Sequence, residues 1–173
     1  VPAPARPGVR VAVDAIGGVH NATKAGNVNS GAAGIIGNAW QFGGATADHL
    51  SVATAPSNDA LLTLGENFSI SGWVKTSANA LGTMFSISDN SVANEEVMFR
   101  AISDQGPAGL ASGYADFSGR PGVGTGEALT SSKVNTGAWR FLTYAQNTSG
   151  WSLYVDGVME DSGVAADGLA SAA

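Results

Sequence analysis

The stretch Asn67-Phe68-Ser69-Ile70-Ser71-Gly72-Trp73-Val74-Lys75-Thr76 decides the fold class. Phe68, Ile70, Gly72 and Val74 fall on alternate positions, so they share one face of an extended strand. A second run, Trp151-Ser152-Leu153-Tyr154-Val155, repeats the pattern with Trp151, Leu153 and Val155 on one face. Asp156-Gly157 follows it and precedes Val158-Met159, which is the signal of a two-residue hairpin.

Working outward, further strands are expected over Val9–Val13, Ala39–Phe42, Leu50–Thr54, Gly82–Ser88, Glu95–Ser103 and Gly109–Phe117. Ala128–Lys133, Ala138–Asn147 and Val158–Ser162 complete the set. Residues 55–66 read as a short helical turn or a loop. Helical periodicity is almost absent. Many short strands at this spacing, separated by turn residues, predict an all-β protein: an antiparallel two-sheet β-sandwich of the jelly-roll kind.

Composition excludes several functions. The 173 residues carry 14 acidic and 8 basic side chains, a net charge of -6, which argues against nucleic acid and anionic membrane surfaces as partners. No apolar run approaches the ~18 residues of a membrane span. The absence of cysteine removes disulfides, thiolate metal sites and cysteine nucleophiles. The 24 glycines are accounted for by tight turns and close sheet packing, with the densest run, 119–126, read as a loop. Its spacing is not a dinucleotide fingerprint, because no βαβ unit follows.

Residues 1–8 alternate proline with small residues and read as an extended arm or linker. Residues 163–173 read as a low-complexity tail, which leaves one domain over 9–162.

Four blocks in order carry a resemblance: Gly34-Ile35-Ile36-Gly37-Asn38-Ala39-Trp40-Gln41-Phe42-Gly43-Gly44 with Asp48-His49-Leu50-Ser51-Val52, then the 67–76 stretch, Gly137-Ala138-Trp139-Arg140-Phe141-Leu142-Thr143-Tyr144, and the Asp-Gly hairpin. The succession resembles the laminin G-like, concanavalin A-like jelly rolls over about residues 12 to 162. That resemblance implies the sandwich fold and places Asp48 in a loop where relatives often bind calcium, with Asp14 in an earlier loop as the second calcium ligand. The turn-capping role is the alternative for both carboxylates. Residues 163–173 depart from the family's closing strands, so the expectation is a trimmed domain, a chain that continues in a larger polyprotein, or an open sheet edge that a neighbouring subunit completes.

Catalysis finds little support. A glycosidase needs two carboxyls on one face at a fixed separation, and the acidic pair read on a strand, Glu95-Glu96, points to opposite faces. There is no nucleophile elbow and no paired-histidine zinc spacing, with only His20 and His49 available as bases. For glycan binding, Trp40, Trp73, Trp139 and Trp151 fall in structural strands and read as core. The expected ligand face is therefore Tyr114, Asp116, Phe117 and Arg120, leading into the glycine-rich loop. The expected function is a non-catalytic, lectin-like module that recognises glycan or protein at a surface, outside the cell. The alternative is a structural subunit, such as a capsid decoration or surface-filament protein, that contacts itself or its neighbours through the arm and the open edge. A glycosidase stands third.

Overall fold

The computed structural model describes residues 11–12, 20–52, 67–79, 82–88, 96–102, 113–120 and 128–164. The chain divides into two compact units, residues 1–59 and 60–173. A single domain over 9–162 was expected from the sequence; the division falls inside the 55–66 stretch read there as a turn or loop. The arm over 1–8 and residues 165–173 lie outside the described residues.

The first unit holds β1 (Val11–Ala12), β2 (Ala22–Ala25), β3 (Val28–Ala33), β4 (Asn38–Phe42) and β5 (His49–Val52). They form a three-stranded antiparallel sheet, β1-β2-β5, and a two-stranded one, β3-β4. β2 and β3 are additions to the expected strands. Their residues, Ala-Thr-Lys-Ala and Val-Asn-Ser-Gly-Ala-Ala, include few of the β-branched and aromatic side chains that mark a strand.

The second unit holds β6 (Phe68–Lys75), β7 (Gly82–Ser88), β8 (Glu96–Ile102), β9 (Asp116–Arg120), β10 (Ala128–Leu129), β11 (Trp139–Asn147), β12 (Gly150–Val155) and β13 (Val158–Val164). Two four-stranded antiparallel sheets result, β13-β12-β11-β6 and β10-β9-β8-β7. Phe99, Ala101, Phe117 and Ala128 of one sheet meet Leu142, Tyr144, Trp151, Leu153 and Val155 of the other in a continuous core. Phe68, Ile70 and Val74 pack against it, so the face read from alternate positions of β6 is the inner one. This is the expected all-β sandwich. Among the described residues no helix is long and apolar enough to cross a membrane.

The Asp-Gly hairpin joins β12 to β13. Asp156 has φ 52° and Gly157 φ 81°, the paired left-handed conformation of a tight hairpin turn. The Asp156 carboxylate accepts the Phe141 N–H at 2.8 Å and Arg140 Nη1 at 2.7 Å. These two donors, the Phe141 amide first, hold its pKa below the ordinary 3.8.

Several strand boundaries moved, most by a residue or two, and β10, expected over Ala128–Lys133, ends at Leu129. β9 was expected over Gly109–Phe117 but begins at Asp116 and takes in Gly119 and Arg120, which had been assigned to the glycine-rich loop. β13 continues through Gly163 to Val164, past the expected end at 162.

Carboxylates of β13 tie it to the segment after β10. Glu160 Oε2 accepts the backbone N–H of Ser131 at 3.0 Å and of Ser132 at 2.9 Å, and the Ser131 hydroxyl as well. Oε1 accepts the Ser132 hydroxyl at 2.7 Å, and Asp161 Oδ2 accepts the Leu129 N–H at 3.0 Å. Burial alone would raise the Glu160 pKa, but the serine donors outweigh it and hold the group below the ordinary 4.5. A pKa lower in the folded than in the unfolded chain stabilises fully above the unfolded value and is lost as pH falls through the folded one. Stability is therefore expected to fall as the pH is taken below about 4.5, and Glu160→Gln is expected to reduce that acid sensitivity. Urea midpoints of both proteins at neutral and acid pH check this; equal acid losses in the two would refute it.

Candidate functional site

The outward side chains of the β13-β12-β11-β6 sheet form a graded surface. Register places Trp73 opposite Phe141, Lys75 opposite Trp139, and Ser71 opposite Thr143. Thr143 in turn lies opposite Tyr154, and Tyr154 opposite Met159. The next row is small, three serines and an alanine: Ser69, Ala145, Ser152 and Ser162. A flat polar shelf thus runs beside an aromatic ridge.

Trp73 is the most prominent feature of the ridge. It is 44 % exposed, and its ring rests on that of Phe141 with centroids 5.0 Å apart. Phe141, Trp139 and Tyr154 are half-buried, while Met159 is 57 % exposed. The other side of the pleat is core. Val74, Leu142 and Val155 alternate with Trp73, Phe141 and Tyr154 and point into the core. Lys75 stands on the Trp139 row, and Asp156 ends the Trp73–Phe141 row, its N–H donating to the Phe141 carbonyl at 2.8 Å and its carboxylate paired with Arg140.

The sequence reading took all four tryptophans as core. Trp151, at 7 % exposure, is core; Trp40 and Trp139 are half-buried, and Trp73 faces out. The signal was present: once Phe68, Ile70, Gly72 and Val74 share the inner face, Trp73 must project from the other.

The segment nominated for ligand contact lies differently. Asp116 and Phe117 are 0 % and 1 % exposed, so neither forms an open face. Phe117 points into the core. Asp116, on the opposite pleat face, holds the guanidinium of its cross-strand partner Arg100 through Nε–Oδ1 at 2.8 Å and a second bond from Nη2 to Oδ2. What departs from the expectation for these two residues is their burial, Phe117 in the core and Asp116 against Arg100. Tyr114 is half-buried, with Lys133 Nζ 6.0 Å from its ring centre. Arg120 ends β9, and its side chain lies outside the described set.

Asp48 anchors a turn. Its Oδ1 accepts the Asn27 N–H at 2.6 Å and its Oδ2 the Ala45 N–H at 3.0 Å. These amides, with lesser help from those of Gly43 and Gly44, hold its pKa below the ordinary 3.8. Calcium takes six to eight oxygens. Here the carboxylate is surrounded by N–H donors, and among the described residues no three His, Asp or Glu side chains come together. That donor set does not fit the ion. Asp14 lies outside the described residues.

Of the acidic pair expected on a strand, Glu95 lies outside the described residues and Glu96 opens β8. A second acidic pair, Glu160-Asp161, lies on β13, and its carboxylates are engaged in the clamp on 129–132. His49 is exposed at the start of β5.

A family model for the concanavalin A-like lectin/glucanase superfamily, of the laminin G-like type, matches residues 44–173. The chain belongs to this superfamily. The match takes in the whole second unit and β5, and with it the Trp73 surface. A search of curated proteins finds no match. The superfamily contains both lectins and glucanases, so membership supports a lectin-like or carbohydrate-binding fold in general and no individual activity.

Proposed function

We propose that this concanavalin A-like chain is a non-catalytic, lectin-like module that binds glycan on the outer face of the β13-β12-β11-β6 sheet, at a cell surface or outside the cell. The observation that carries the reading is Trp73, an indole 44 % exposed and backed by Phe141. A sugar ring has an apolar face that stacks on an aromatic side chain, and hydroxyls that find partners along Ser71, Thr143 and Ser69. The engaged carboxylates of Glu160 and Asp161 favour binding over hydrolysis, since neither is offered to a substrate.

A glycan array followed by titration of the best ligand tests the reading. Trp73→Ala is expected to weaken binding by about tenfold or more, a loss of about 1.4 kcal/mol. A half-exposed side chain leaves the fold largely unaffected when truncated, so the melting temperature is expected to change little. If Tyr114→Ala abolishes binding and Trp73→Ala does not, the ligand sits on the 114–120 segment instead.

One observation favours a second reading, an assembly subunit. β6 is eight residues long, pairs with β11 over its whole length without a bulge, and lies at a sheet edge among the described residues. The other edge strands are short or irregular: β10 has two residues, and the pairings of β7 and β13 contain register shifts. Edges left regular are those that accept another strand. Light scattering on the titration sample separates the two readings, a discrete oligomer that dissociates on charging the β6 edge supporting assembly.

A further inference from the structure

The β3-β4 hairpin carries a small polar cleft apart from the Trp73 surface. Its residues are Asn27, Asn29, Gln41, Phe42 and Gly43, around a volume of about 180 Å³. Asn29 stands opposite Gln41 in the strand register. Asn27 and Gly43 form the next position outward, joined by the Gly43 N–H donating to the Asn27 carbonyl at 2.9 Å. Alternation therefore puts three carboxamides on one face of the hairpin, with glycine at the fourth corner. Phe42 lies between Gln41 and Gly43, in register with Val28 and on the alternate face, so it borders the cleft without presenting its ring to it.

Glycine at that corner lets the Asn27 carboxamide and the Asp48 carboxylate come close to the backbone. A Cβ at Gly43 would stand 2.7 Å from Asn27 Nδ2 and 2.7 Å from Asp48 Oδ2, closer than side chains tolerate. The lining is neutral, and each carboxamide brings both a donor and an acceptor. Asn29 already uses its Oδ1 to accept the Gly31 N–H at 3.1 Å, which fixes the side chain with its NH₂ directed elsewhere. The nearest charge is the Asp48 carboxylate, whose oxygens are held by the Asn27 and Ala45 amides and which disfavours an anion at this corner.

We propose that this cleft is a second binding site, for one neutral, hydroxyl-bearing ring: a single sugar residue gripped by the carboxamides of Asn27, Asn29 and Gln41. Vicinal hydroxyls are each donor and acceptor, which is the complement of a row of carboxamides. The volume is below the roughly 300 Å³ at which pockets for larger ligands begin, so the site takes one ring or the end of a chain. The proposal extends the glycan reading to a different unit of the protein and does not depend on Trp73.

The test uses the full chain carrying Trp73→Ala, labelled with ¹⁵N, so that the sheet face contributes no stacking. Methyl glycosides of glucose, galactose, mannose and N-acetylglucosamine are titrated in turn, with the side-chain NH₂ resonances of Asn27, Asn29 and Gln41 as readout. At least one glycoside is expected to shift all three saturably. Gln41→Glu, an exposed change that leaves the fold intact, is expected to weaken that binding about tenfold by removing a donor pair; Gly43→Ala is expected to abolish it. Unmoved carboxamides, or shifts that survive Gln41→Glu undiminished, would overturn the proposal even if the glycan array is positive for the wild type. Stronger shifts with N-acetylglycinamide than with any glycoside would overturn it too, by making the site a peptide site.

Discussion

Asp116→Ala is expected to destabilise the protein by about 3–5 kcal/mol, the cost of breaking a buried ion pair by removing one partner. Asp116 is fully buried and Arg100 is 11 % exposed at the side chain. The guanidinium is held by a two-pronged contact, so alanine would remove both bonds at once from a buried place. Replacing both members with apolar residues of similar size removes the charge along with its partner, and such exchanges are often neutral. The double variant Arg100→Met with Asp116→Leu is therefore expected to be clearly more stable than Asp116→Ala alone. Urea denaturation followed by tryptophan fluorescence measures both. A cost below about 1 kcal/mol for Asp116→Ala would mean that the pair is screened as surface pairs are.

This pair also shows where sequence reasoning stops. An Asp beside aromatics, near a glycine-rich loop, has the composition of a sugar site, and nothing local distinguishes it from a buried carboxylate. What distinguishes it is Arg100, sixteen residues away in sequence and beside it in the sheet. Strand pairing is a long-range fact, invisible to periodicity. By contrast, β7 was read to its boundaries, and the inner face of β6 was read residue by residue, because there the apolar alternation is itself the cause of the structure. The Asp156-Gly157 turn was legible for the same reason: only a few residue types accept two left-handed conformations in succession. β2 and β3 were not, since alanine, glycine and asparagine leave no periodic signature and become strands through their partners. Trp73 is the intermediate case. Its hydrophobicity argued for the core, its position in the alternation argued against, and the alternation decided.

The core beneath that surface makes the second large prediction. Phe117→Ala is expected to cost about 3–5 kcal/mol, as large aromatic truncations in packed interiors do. Phe117 of β9 lies stacked on Tyr144 of β11, centroids 3.6 Å apart and planes 9° from parallel, so this contact bridges the two sheets. Phe99 meets it edge-on at 5.9 Å, and Phe68 lies 6.1 Å away. Tyr144 is fixed from its other end, where its hydroxyl donates to Gln146 Oε1 at 2.9 Å, and burial pushes its pKa well above the usual phenol range. Removing Phe117 would therefore leave a cavity walled by side chains that have little freedom to fill it. Phe117→Leu keeps most of the volume and is expected to cost substantially less. Loss at this site should act on stability and leave the sheet's outer face unchanged, because Trp73 and Phe141 project from the opposite side of the pleat. Below its own unfolding midpoint the Phe117→Ala protein should bind glycan with wild-type affinity, whereas Trp73→Ala should melt normally and bind poorly. If Phe117→Ala instead lowers affinity while the protein is fully folded, the ligand contacts the interior of the sandwich and the outer face is not the binding surface.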